Sequence, residues 1–204
     1  MAHAPQPGAE VLAEPMRSRW SPSVYDGDHQ LEPDQIRTLL TAAQWSPSAG
    51  NAQPWRFFVA ERGDTTHKVL VPHLTEGNSW VPYASVVFLT CAKIDSFGRD
   101  DWGDETYGCY DLGQAAAHLT LQARAMDLHA HQFMGFDREA VAEELGLPDH
   151  FRMVSGIAVG VRGNVADASE RIRGKEEKER KRRPLADTAF SRTWGEAWHG
   201  VSEQ

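Results

Sequence analysis

Three stretches carry residue types and spacings that could do chemistry. The first is residues 46–55, Ser-Pro-Ser-Ala-Gly-Asn-Ala-Gln-Pro-Trp. Asn51 and Gln53 offer donors and acceptors from a constrained backbone, which suits the alternating carbonyl and N–H edge of a heterocycle. Gly50 permits close backbone approach. A polar connector whose amides only tie its own turns together is the plainer reading. The second stretch is Arg19-Trp20-Ser21-Pro22-Ser23. In an extended segment Arg19 and Ser21 point the same way, so together they can grip a phosphate or a polar ring edge. A surface loop would look the same. The third is Arg180-Lys181-Arg182-Arg183-Pro184-Leu185, where Pro184 fixes the backbone beside a basic cluster. That cluster reads as a positioned anion grip or as a solvated face.

Other signatures are missing. The chain has no GxGxxG, P-loop, GxSxG or HExxH. His129 and His131 could place two imidazoles on one strand face, but no third ligand stands nearby, so no metal is expected. Cys91 and Cys109 form neither a CxxC nor a disulfide framework.

Length and charge narrow the classes. With 204 residues the chain can build one domain with a real core. No apolar run approaches the roughly 18 residues of a membrane span, and residues 1–9 do not read as a signal peptide, so a cytoplasmic protein away from membranes is expected. Residues 173–183 hold seven Lys/Arg against three Glu, a net +4, which leaves −12 on the rest of a chain of net −8. The acidic remainder argues against nucleic-acid binding.

These stretches need elements to hold them. Residues 1–14 read as a flexible arm. Ile36, Leu39, Leu40 and Ala43 recur at helical spacing, predicting a helix over 33–45 opened by Pro33 and stopped by Pro47. Strands are expected at 56–60, 85–92, 128–133 and 153–161. The run at 85–92 should be buried on both faces. Helices are expected at 111–126 and 138–145, the first with small residues that let another backbone approach. Residues 163–204 read as a charged linker and a Trp-containing tail. The irregular alternation favours α+β over a doubly wound sheet.

In order and spacing these pieces resemble the nitroreductase family of FMN enzymes, over roughly residues 19–185. The Pro-Ser, Asn, Gln-Pro-Trp segment is the most specific, supported by Arg-x-Ser, the Ala-rich helix, Gly135-Phe136-Asp137 and the Arg-Arg-Pro-Leu run. The resemblance implies an α/β/α sandwich with a mixed, mostly antiparallel sheet. It also implies a homodimer in which residues 163–204, with Trp194 and Trp198, wrap the partner subunit. FMN would be bound by Arg19, Ser21 and Ser23, by Pro47, Ser48, Ala49, Asn51 and Gln53, by Phe133, Met134 and Gly135, and by one of Arg180, Arg182 and Arg183. Ser23 stands where the family usually has a basic residue, and Met134 where some members have Glu. Trp55, Asn78, Trp80 and Met134 would face the substrate. The implied reaction is ping-pong: NAD(P)H delivers hydride to flavin N5, and a nitroaromatic, quinone or similar acceptor then collects the electrons. No protein acid or base is needed. A specialised dehydrogenase or dehalogenase of the same fold, or a non-catalytic flavin binder, are the alternatives.

Overall fold

Pro33 opens helix α1 (Pro33–Gln44), where its missing N–H costs nothing. Glu32 and Gln35 close a capping box around that end. Ile36, Leu39 and Ala43 form the buried stripe, as their spacing predicts. The computed structural model describes residues 6, 8–95 and 105–201. The expected N-terminal arm lies partly outside them.

After α1 come β1 (Trp55–Glu61), α2 (Thr65–Leu70), β2 (Val86–Lys93), α3 (Glu105–Ala125), β3 (His129–Phe133), α4 (Arg138–Glu144), β4 (Phe151–Gly160) and α5 (Glu170–Glu176). The four strands form one sheet in the order β1-β2-β4-β3. Every pair is antiparallel. A mixed, mostly antiparallel sheet was expected; among the described strands every pair is antiparallel, because α4 returns the chain to lay β4 antiparallel between β2 and β3.

Strand β2 sits inside the sheet with only Lys93 short of full burial. Successive side chains point to opposite faces. Val86 and Phe88 enter one core with Leu39, Ala43, Leu112 and Leu119, under α1 and α3. Val87 and Leu89 enter the other with Leu70, Val81 and Val141, under α2 and α4. This two-sided burial explains the continuous apolar run and gives the α/β/α layering of an α+β domain.

Three features depart from expectation. Helix α3 begins at Glu105, six residues before the predicted start, because its first turns carry Tyr107 and Tyr110 outward and Gly108 inward. Helix α2 is too short to show a period; Asp64 caps it by accepting from the His67 N–H at 2.7 Å. Helix α5 rises from the segment read as linker and buries Glu176. No helix among the described residues is long and apolar enough to cross a membrane. Trp194 is 90% exposed and Trp198 half-exposed, so this chain's own core uses neither.

Candidate functional site

Three guanidinium groups gather where the N-terminal segment meets the segment after α5. Arg19 donates from Nη1 to Ser21 Oγ at 2.8 Å. Arg180 lies over the Trp20 ring, 4.3 Å from its centroid. Its Nη1 donates to the Arg19 carbonyl at 3.0 Å and to Gln6 Oε1 at 2.9 Å. Burial, with Arg19 and Arg182 beside it, pushes Arg180 down to about 10. Burial and Arg182 likewise lower Arg19. At about 10 the Arg180 guanidinium is still a cation at neutral pH. Among the described residues none of the three is ion-paired with a carboxylate. Like charges held together without a counter-charge form a receptor for an anion. Arg182 and Arg183 are both exposed, and of the two it is Arg182 whose charge acts on Arg19 and Arg180.

Beside the cluster opens a pocket of about 380 Å³, lined by Arg19, Ser21, Ala117, Thr120, Leu121 and the β3 residues Ala130, His131 and Gln132. Gln132 donates to Thr120 Oγ1 at 3.1 Å, tying β3 to α3. His131 donates from Nδ1 to the Pro22 carbonyl at 2.7 Å, since a carbonyl can only accept. Burial holds its imidazole below the ordinary value.

The loop over residues 46–54 is bent by left-handed backbone at Gly50 (φ 54°), Asn51 (φ 59°) and Gln53 (φ 48°). Such angles disfavour side chains other than Gly and Asn, so the loop needs fastening. Buried Asp111 accepts the Ala49 N–H at 2.9 Å, and Gln114 donates to its other oxygen at 3.1 Å. Ser46 Oγ meets His118 Nδ1 at 2.8 Å. Ser48 Oγ accepts the Gln53 N–H at 3.1 Å. The Gln53 amide is spent on Asn51. Pro47, Gly50 and Asn51 stand exposed. Asp111→Ala is expected to cost about 1–3 kcal/mol by orphaning the Ala49 N–H. A urea melt reads the loss, and limited proteolysis should find new cleavage within residues 47–53. An unchanged melt would show that Asp111 does not hold the loop.

A third piece sits at the end of β3. The Gly135 carbonyl accepts from Thr75 N (3.0 Å), Thr75 Oγ1 (2.9 Å) and Asn78 Nδ2 (2.9 Å). A Cβ at Gly135 would fall 2.3 Å from Asn78 Nδ2 and 2.6 Å from Thr75 Oγ1. Only glycine allows this clamp. Met134, one residue before, is 59% exposed.

Comparison with known proteins decides the family. The nitroreductase family model matches residues 16–93 and 77–161. The chain belongs to the nitroreductase family. A 15.4 kDa protein of Mycolicibacterium smegmatis is 36% identical over 151 residues, covering 69% of this chain and 97% of that one. An NADH dehydrogenase of Thermus thermophilus is 27% identical over 166 residues, covering 67% and 80%. A solved oxidoreductase containing FMN superposes with TM-score 0.76 at 33% identity, covering 86% of this chain and 88% of that one.

Within this member of the family, the expected site residues fall into separate groups. Arg19 and Ser21 line the pocket, and of the C-terminal arginines Arg180 and Arg182 join Arg19. Ser23 does not line it. Its side chain is buried at a different cavity, of about 760 Å³, and its N–H donates to Glu176. Pro47, Ser48, Ala49, Asn51 and Gln53 form one loop, but none of them lines the arginine pocket of the same chain. Phe133 points into the core against Gly156 and Trp80.

The expected apolar wall of Trp55, Trp80 and Met134 is corrected. Trp55 opens β1 facing α1 and α3, and is 6% exposed. Trp80 is folded beneath β3, stacked on His131 at 4.3 Å, and is 5% exposed. Asn78 is spent on the Gly135 carbonyl. Of the four, Asn78 is half-buried and only Met134 is exposed. Sequence reasoning also missed Asp111, His131, Gln132 and Glu176. The alternation at 129–132 held a signal, because residues flanking Ala130 must face away from it, but the paired histidines drew attention to metal instead.

Proposed function

We propose that this chain is an FMN-dependent oxidoreductase that takes electrons from NAD(P)H and passes them to electron-poor acceptors such as nitroaromatics and quinones, working as a homodimer. The observation that carries the reading is the cluster of Arg19, Arg180 and Arg182, without a counter-charge among the described residues, at the mouth of a pocket with polar side chains. A phosphate monoester fits that donor set. Arg19, Arg180 and Arg182 would hold it, while Ser21 and Gln132 offer polar contacts along the pocket. Bound FMN would supply hydride exchange, first with the nicotinamide and then with the acceptor. The chain's part is to bind, orient and exclude water. No side chain at the pocket is required as acid or base.

The homodimer completes the arrangement. The loop over residues 46–54 presents Pro47, Gly50 and Asn51 to solvent, away from the pocket lining of its own chain. On α3 the exposed positions Tyr110, Gly113 and Ala117, with half-buried Leu121, make a stripe at helical spacing. A second copy on that stripe would bring one chain's loop to the other's pocket, and Trp194 and Trp198 would gain a surface to cover.

The test is a spectrum. Purified protein is expected to be yellow with an FMN absorption band. NADH or NADPH should bleach it anaerobically, and a nitroaromatic or quinone should restore the colour. Colourless protein that takes up no added FMN would overturn the proposal. Sedimentation at working concentration should give twice the chain mass.

A further inference from the structure

Glu176 is a buried carboxylate that no step of the chemistry uses. It ends α5 and is 3% exposed. Three donors from two distant segments converge on it. Ser23 N donates at 2.5 Å, Trp20 Nε1 at 3.2 Å and Arg162 Nη2 at 3.0 Å. Arg162 Nε has no partner among the described residues, so Glu176 is the counter-charge that makes Arg162 tolerable there.

The geometry leads from Glu176 to the arginine cluster by two short routes. Through the chain, Arg180 follows only four residues later. Through space, Glu176 holds the edge of the Trp20 indole, and the face of that ring carries the Arg180 guanidinium. Arg180 in turn donates to the Arg19 carbonyl. Like-charged groups drift apart unless something fixes them, and among the described residues the cluster contains no carboxylate of its own. Arg180 is held by neutral partners, the Arg19 carbonyl, Gln6 and the Trp20 ring, and Glu176 is the carboxylate that stands behind them.

We infer that Glu176 is a positioning residue for the anion site: by clasping Trp20, Ser23 and Arg162 it locks the segment after α5 against residues 19–23, so that Arg180 and Arg182 stand beside Arg19. The inference rests on the flavin reading above. It separates Glu176 from an ordinary structural ion pair by one property. Loss of the clasp should weaken the grip on phosphate and spare the grip on the ring.

FMN and riboflavin share the ring and differ by the phosphate, so they are the probes. The full-length chain, stripped of flavin, is titrated with each while flavin fluorescence is followed. Glu176→Gln keeps the shape but removes the charge, and is expected to weaken FMN about tenfold or more, the scale of one hydrogen bond to a charged group, with riboflavin within about twofold. Trp20→Phe keeps a ring under Arg180 but loses the indole N–H. It should give a smaller loss in the same direction, and remains informative if the first variant does not fold. FMN affinity unchanged in the folded variants overturns the inference. So does an equal loss for both flavins, which marks a purely structural role. Wild-type protein that binds neither flavin overturns the reading beneath it and the inference with it.

Discussion

Replacing Arg19 and Arg182 together with alanine is expected to cut FMN affinity on the order of a thousandfold, since each charge-assisted contact to a phosphate contributes about 1.5–3 kcal/mol. Riboflavin should bind nearly as before. The pair is chosen because neither residue holds the fold. Arg19 donates to Ser21 Oγ two residues away, and Arg182 to the carbonyl of its neighbour Lys181. Arg180 differs, because its removal would also strip the Trp20 ring. Charge repulsion sharpens the expectation. Burial and neighbouring cations lower Arg19 and Arg180, so the cluster costs stability in the ligand-free protein. The double variant should therefore melt no lower than wild type without flavin, and gain far less from added FMN. Raised salt should weaken wild-type FMN binding more than riboflavin binding, because only the phosphate contact is screened. A double variant that binds FMN like wild type would remove the arginine cluster from the site.

How much of this was legible in the sequence depends on how far each feature's causes lie along the chain. The α1 period, its proline start and the β2 run are local, and the structure reproduces them within about a residue. The loop over 46–54 was legible as constrained, since three amides or glycine between two prolines leave few backbone solutions. The basic run was legible as a cluster, but not which of its arginines would meet Arg19. That choice is made by Trp20 and Arg19, some 160 residues earlier. Trp55 and Trp80 were misplaced for a related reason. A tryptophan's type promises a large apolar surface but not which side of the sheet receives it; Trp80 is claimed by His131, Tyr25 and Phe133. Ser23 reads as a lost base until its N–H is seen on Glu176, 153 residues away. Helix α5 was hidden because only Glu176 is buried, and a buried Glu among charged residues looks solvated.

The sequence also predicted that the central helix would let a backbone approach closely, and one residue shows where that matters. A Cβ on Gly108 of α3 would lie 2.0 Å from the Lys93 carbonyl oxygen and 3.2 Å from its carbon. Both are backbone atoms at the end of β2, and the neighbouring Lys93 N–H is already committed to the Pro54 carbonyl at 2.8 Å. Neither side can turn away as a flexible side chain would. Gly108→Ala must therefore push α3 off the sheet, against any gain in helix propensity, and is expected to cost about 3 kcal/mol or more. For a chain of this size that lowers the melting temperature by roughly 6–12 °C. Gly174 of α5, exposed and outside the stripe proposed for the partner, is the control. Its Cβ would meet nothing within 4 Å, so Gly174→Ala should keep or raise the melting temperature. The displacement reaches the site as well. Helix α3 carries Asp111, which holds the Ala49 N–H, and Ala117 and Leu121, which line the arginine pocket. A helix forced away from β2 moves loop and pocket relative to β3, so the folded Gly108→Ala protein should bind FMN and riboflavin more weakly by similar factors. That is the opposite of the arginine variant, which loses only the phosphate. If Gly108→Ala melts with wild type, the helix is not seated on Lys93 as described, and the frame proposed for the site fails with it.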